Sequence, residues 1–149
     1  MSQQDKALLS METDGMCKID EEVLKKAKKL RFAKGGTKPA IIVKIVDEVL
    51  IVDEEHDDVT VEELAEELPE RSPRFVLYSY IQKHKDGRVS YPLCFINYCP
   101  EGGNPKTSMK YAGSKTMIVK ALGMTKVFDI REKEYLTEEW LLAKLAKLY

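Results

Sequence analysis

The sequence predicts an α+β fold: a central mixed sheet of five to six strands, sandwiched by helices. Three observations predict it. Apolar runs of strand length at 40–46, 49–53, 73–84, 88–99 and 125–130 are interleaved with segments of helical period. Asp86-Gly87, between two long apolar and aromatic runs, is a strong signal for an antiparallel hairpin. A long helix then separates the last two strands, and a crossover of that length joins strands in parallel.

In order along the chain, residues 1–16 are polar, lack periodicity and read as a flexible tail, followed by one domain over 17–149. Asp20 is placed to cap a helix, DEEVLKKAKKLRF, whose inner stripe is Val23, Leu24, Ala27 and Leu30. Lys25, Lys28, Lys29 and Arg31 are left outside, and the acids at its start suit the helix dipole. Gly35, Gly36 and Pro39 mark a loop. AIIVKIV (40–46) and VLIVD (49–53) form a mostly buried hairpin around Asp47-Glu48. Thr60 and Glu63 match a capping box and open a short acidic helix that Pro69 ends. The strands 73–84 and 88–99 are long enough for their hairpin tip to project beyond the sheet, and Pro92 requires a bulge or edge position. After the last strand, Thr137 caps a terminal helix with Leu136 and Leu141 as a hydrophobic staple. Trp140, Leu141, Leu145 and Leu148 form its apolar stripe.

The long helix, Pro105 to Gly123, is the most informative stretch. Asn104 suits its N-cap, Pro105 the first helical position and Gly123 the stop. At about 100° per residue, Tyr111, Ile118 and Leu122 share the core face, with Ala112 and Val119 on its flank. The opposite side carries Lys106, Met109, Lys110, Gly113, Met117 and Lys120. A mid-helix glycine costs roughly 1 kcal/mol relative to alanine but lets another backbone approach. Methionine between lysines makes an adaptable apolar contact with charged edges. This outer face is therefore expected to dock into a groove on another protein. The competing account is a solvated helix with two incidental methionines.

Composition bounds the function. The 149 residues are 44% hydrophobic and 33% charged, which suits one globular domain. No apolar run approaches the roughly 18 residues of a membrane span, and the first residues lack a signal-peptide core. Cys17, Cys94 and Cys99 are an odd number and read as reduced packing residues of an intracellular chain. The net charge of −1 hides a separation of sign. Residues 47–70 hold twelve acids and no Lys or Arg, whereas 71–149 hold fourteen basic residues against seven acids. Such separation orients a partner's approach, and the acidic block argues against nucleic acid.

Motifs for chemistry are scarce. His56 sits among acids (EEHDD), which reads as a solvated turn because the spacing does not match a calcium loop. His84 at the hairpin tip has no cysteine or acid partner for nucleophilic work. GGNPKT (102–107) superficially resembles a phosphate loop, but the spacing is wrong and proline removes a donor. An anion at that helix end, beside Lys106 and Lys110, is the milder version of that reading. No catalytic set, metal site or cofactor is expected.

Several strings together resemble one family: ELPERSPRFVLYSY, DGRVSYPLCFINY, MKYAGSK, TKVFDIR and LTEEWL. They are similar to the glia maturation factors, of the actin-depolymerising factor/cofilin homology family, from about residue 17 to 149. The resemblance implies the fold of that family and an intracellular, cytoplasmic place at the actin cytoskeleton, with room for a nuclear pool. It implies a monomer that binds the actin-related protein 2/3 complex, inhibits branched nucleation and promotes debranching without covalent chemistry. The family pattern K-x-x-M-x-Y-A falls on Lys106, Met109, Tyr111 and Ala112, giving Lys106 and Met109 a groove-contacting role and turning Tyr111 and Ala112 inward. Lys28, Lys29 and Arg31 resemble the supporting basic patch. A second surface, for the first actin subunit of the daughter filament, would use Lys85, Asp86, Arg88, Glu134 and Glu138. Cofilin-type members carry a regulatory serine near the N-terminus, for whose equivalent Ser2, Ser10 and Thr13 are candidates. The alternative within the same fold is a cofilin-like protein that binds and severs plain filaments. A reading from another class, an enzyme or nucleotide switch, would require a nucleotide response.

Overall fold

The computed structural model describes residues 17–33 and 35–147. The expectations for the N-terminal tail, its three candidate hydroxyls and Leu148 lie outside them. In chain order the strands are β1 (Lys18–Ile19), β2 (Ala40–Val46), β3 (Val49–His56), β4 (Arg74–Ser79), β5 (Gln82–Lys83), β6 (Val89–Ser90), β7 (Leu93–Tyr98) and β8 (Lys126–Ile130). The helices are α1 (Glu21–Arg31), α2 (Val61–Glu67), α3 (Pro105–Leu122) and α4 (Glu138–Ala146), with a 3₁₀ turn at Lys133–Tyr135. One sheet has the order β1-β3-β2-β4-β7-β8, antiparallel at its centre and parallel at both edges. The parallel pairing of β7 with β8 follows from the α3 crossover. β1 has only two residues, too few to carry a period, and the sequence reading missed it.

Strand alternation sends two sets of side chains to two cores. Phe75 and Leu77 of β4 meet Phe95, Ile41 and Val43 under α1 and α3, together with Val23, Leu30, Tyr111, Ile118 and Leu122. Val76 and Tyr78 meet Ile42, Ile96 and Tyr98 under α2 and α4, together with Leu64, Leu141 and Leu145. Burying each large side chain is worth about 1.5–3 kcal/mol, so both faces hold their helices by the same means. Phe75 stacks on Phe95 and on Tyr111, each at 5.2 Å. The Tyr78 hydroxyl donates to the Val59 carbonyl at 2.7 Å, and burial pushes its pKa well above the ordinary value.

Several expectations need correction. The strands over 73–84 and 88–99 break at Tyr80 and Pro92, and the tip forms a separate ribbon of β5 and β6. Proline has no N–H to give the ladder, and its carbonyl instead accepts from the Tyr80 N–H at 3.0 Å. β3 runs on to His56, which is therefore a strand residue, not a turn residue. Only Leu50 of β3 is fully buried, because beyond the two residues of β1 the strand has no neighbour on its outer side. Asp20 is the N-cap of α1 by position, but its side chain makes no capping bond; its carbonyl accepts from Val23 at 3.0 Å. Thr60 and Glu63 do form the reciprocal capping box.

The β2–β3 turn is strained. Asp47 and Glu48 have φ of 49° and 65°, the left-handed region that Asn-Gly normally serves. A non-glycine residue there costs roughly 1–2 kcal/mol, less for aspartate.

Candidate partner-binding surface

α3 is fixed at both ends. The Asn104 side chain accepts from the N–H groups of Lys106 and Thr107 at 2.8 and 3.3 Å. Those two donors are therefore taken, which removes the basis for an anion at this helix end. Gly103 owes its identity to crowding, since a Cβ there would lie 2.3 Å from the Arg71 carbonyl oxygen. Gly123 closes the helix at φ 67°, with its N–H on Lys120 and the Met124 N–H on Val119. Arg31 adds a cap from outside, its Nη2 donating to the carbonyls of Leu122 and Gly123 at 2.7 and 3.1 Å. At mid-helix the Tyr111 hydroxyl accepts from the Ile45 N–H at 2.7 Å, locking α3 to β2.

What remains outside is a ridge. Lys106, Met109, Gly113 and Lys120 are exposed, and Met109 shows 73% of its surface. The helix contains no acid, and Lys106 in its first turn opposes the helix dipole. Helix stability therefore does not explain Lys106, whereas Lys120 in the last turn suits the dipole.

Three residues sit otherwise than read. Ala112 is exposed, because one step past Tyr111 turns its Cβ about 100° out of the contact stripe and the side chain is too short to reach back. Met117 is half-buried and packs on the core under α1 and α3, where a flexible thioether fills the flank. Lys110 is half-buried, its Nζ 2.7 Å from Glu48 Oε1. That contact holds the Glu48 carboxyl below the usual carboxylate range.

The first helix supplies part of the expected patch. Arg31 reaches the end of α3, and Lys28 lies exposed one turn before it. Lys29 is exposed on another flank, bordering Glu55 and His56 beside the Lys26–Glu55 pair. Phe32, 69% exposed at the C-cap next to Arg31, was missed. Its signal was an aromatic residue off the apolar stripe and among lysines.

The second expected surface comes in parts. Lys85, Asp86 and Arg88 share the tip of the β5–β6 ribbon, with Arg88 Nε donating to Asp86 Oδ2 at 2.7 Å. Glu138 opens α4, its N–H donating to Glu62 Oε2 at 2.8 Å. Its carboxylate faces the Tyr80 hydroxyl at the root of the ribbon, and burial with that charge pushes Tyr80 up to about 12. Glu134 belongs to the 3₁₀ turn, whose Lys133 binds the Leu68 carbonyl and Glu70 beyond the end of α2. No contact joins Glu134 to the tip among the described residues.

His56 pairs with Glu54 at 3.0 Å, and their ligand atoms lie within 4.8 Å of one of Glu67. Burial and the neighbouring Glu67 raise the Glu54 carboxyl, against His56. A register shift between Ile42 and Val43 places Glu54 opposite Ile42, on the α2 side. His84 hydrogen-bonds Ser90 Oγ at 2.9 Å. The three cysteines are free, Cys17 and Cys94 buried. Among the described residues no helix is long and apolar enough to cross a membrane.

Comparison with known proteins bears on this surface. Residues 16–146 match the family described as cofilin/tropomyosin-type actin-binding proteins. The chain is 53% identical over 132 residues to glia maturation factor beta of Mus musculus, covering 87% of this chain and 93% of that one. It is 42% identical over 137 residues to glia maturation factor of Drosophila melanogaster, covering 91% and 99%. The solution structure of glia maturation factor from Caenorhabditis elegans superposes with a TM-score of 0.75 at 40% identity, over 87% of this chain and 95% of that one.

Proposed function

The chain belongs to the cofilin/tropomyosin-type actin-binding family, among the glia maturation factors, and from that premise we propose that it regulates branched actin. It binds the actin-related protein 2/3 complex, inhibits branched nucleation and promotes debranching, and it acts at the cytoplasmic actin cytoskeleton. The observation that carries this reading is the α3 ridge. Met109 is 73% exposed on a long capped helix, one turn from Lys106, a lysine that the helix itself does not need. An exposed apolar anchor with charged edges suits a cleft that buries the anchor and pairs the rim. The ribbon tip with Lys85, Asp86 and Arg88, together with Glu138 and Glu134, is the second contact, made with the first actin subunit of the daughter filament. The action is mechanical: a folded wedge competes for an interface, and no group on it undergoes reaction.

Met109→Asp tests the reading. Placing a carboxylate at the anchor is expected to weaken binding to purified actin-related protein 2/3 complex by at least about 30-fold, the scale of a hot spot. The melting temperature should stay within a few degrees, because Met109 is 73% exposed. Met109→Asp alone is cleaner than pairing it with Lys110→Glu, which would set a second carboxylate against Glu48. Imaging of single branched filaments should show branches detaching with the wild type and persisting with the variant. Saturating binding to unbranched filaments, with breaks along their length, would support cofilin-like severing instead.

A further inference from the structure

Lys110 stands beside the ridge but does not offer it a free charge. Its ammonium is 2.7 Å from Glu48, on the β2–β3 turn, 62 residues away in sequence. The turn is built at a cost: Asp47 and Glu48 both sit at positive φ, the only non-glycine residues that do so among those described. Asn-Gly would relieve the strain and leave Lys110 unpaired. The same Glu48 carries the β1 register, its carbonyl accepting from the Lys18 N–H at 2.7 Å. The backbone at Glu48 is therefore held by the sheet, while its carboxylate is 65% exposed and open to exchange. The turn also opens the acidic block of 47–70, and through Glu48 it reaches α3, a helix without an acid.

We propose that Glu48 is an internal competitor for the partner's carboxylate at Lys110, an autoinhibitory contact that sets the affinity of the α3 surface. The inference rests on the α3 reading of the preceding section. A partner acid that reaches Lys110 must displace Glu48, so part of the gain from the new pair is offset by the loss of the old one. Partners that do not contact Lys110 meet no such competition. The turn thereby tunes the surface against acidic partners in general, leaving the Met109 contact to discriminate among them.

The test is a double-mutant cycle with Glu48→Gln and Lys110→Gln, titrating full-length protein against purified actin-related protein 2/3 complex and, in parallel, monomeric actin. An exposed ion pair is worth about 0.2–1 kcal/mol, so Glu48→Gln is expected to tighten binding roughly 1.4- to 5-fold at low salt. The gain should shrink at roughly 1 M salt, where the Debye length falls to about 3 Å. In the Lys110→Gln background, Glu48→Gln should change nothing. A gain of equal size in both backgrounds would make the effect a long-range charge effect and overturn the competitor role. Weaker binding by Glu48→Gln would also overturn it, making Glu48 a contact of the partner. Met109→Asp runs alongside as the separator: if it abolishes binding while Glu48→Gln is silent, only this inference falls. If the wild type binds neither protein, the α3 reading falls and takes the competitor with it.

Discussion

The layer of α1 and α3 and the layer of α2 and α4 are alike inside and opposite outside. Each presses apolar side chains onto alternate residues of the same strands. Outside, α2 carries Glu62, Glu63, Glu66 and Glu67 and no base, while α3 carries lysines and no acid. The difference lies in what the charges do for their own helix. Glu63 closes the capping box of α2, and Glu62 receives the N–H that opens α4. These acids are explained by the fold. Lys106 opposes the dipole of α3, Met109 is 73% exposed, and a Cβ at Gly113 would meet open space. A surface feature that its own element would be better without points to a role beyond the fold.

The comparison can be tested in descending order of effect. Phe75→Ala, under α1 and α3, should cost about 3–5 kcal/mol, and Ile96→Ala, under α2 and α4, about 2–5 kcal/mol. Denaturant unfolding would show whether the inner faces are equivalent; a cost below about 1 kcal/mol on one side would break the symmetry. Thr60→Ala should cost about 1 kcal/mol by removing one half of the capping box, and leave partner binding unchanged. Gly113→Ala should act in the opposite way. Its Cβ would meet nothing within 4 Å, so thermal unfolding should show a gain of about 0.5–1 kcal/mol while partner affinity falls. A stabilised variant with full affinity would remove the case that glycine is there for a close approach. Lys85→Glu with Arg88→Glu should change stability by no more than about 0.5 kcal/mol, yet weaken debranching more than inhibition of nucleation. Equal loss in both assays would mean one surface, not two.

The smallest effect concerns pH. The Glu54 carboxyl is raised by burial and by Glu67. A raised acid favours the folded state below its unfolded value and loses that benefit as pH rises through the folded value. Glu54→Gln should therefore be more stable than the wild type at neutral pH, with the difference shrinking as pH falls toward the ordinary glutamate value of 4.5. Melting curves across that range would show it; a constant difference would mean that Glu54 does not titrate on folding.

Much of this was legible in the sequence. Asn104, Pro105 and Gly123 bounded α3 correctly, and Thr60 with Glu63 marked α2, because caps act within one helical turn. The exposed positions of Lys106, Met109, Gly113 and Lys120 followed from the helical period. Met117, Ala112 and Lys110 did not, because flank positions are decided by whichever element lies alongside. The break of the long hairpin at Pro92 was signalled by proline, but its extent depended on where Tyr80 found an acceptor.

Read alone, the chain determined the order and type of its longer elements, the alternation that feeds two cores and the family to which it belongs. Those features rest on local geometry and on residue types repeated at short intervals. Tertiary structure decided the pairing of Lys110 with Glu48 across 62 residues and the capping of α3 by Arg31 across 91. It also decided the meeting of Glu54, His56 and Glu67. A charge's partner is set by a separation of a few ångströms between distant segments, and no periodicity encodes that distance before the sheet has brought them together.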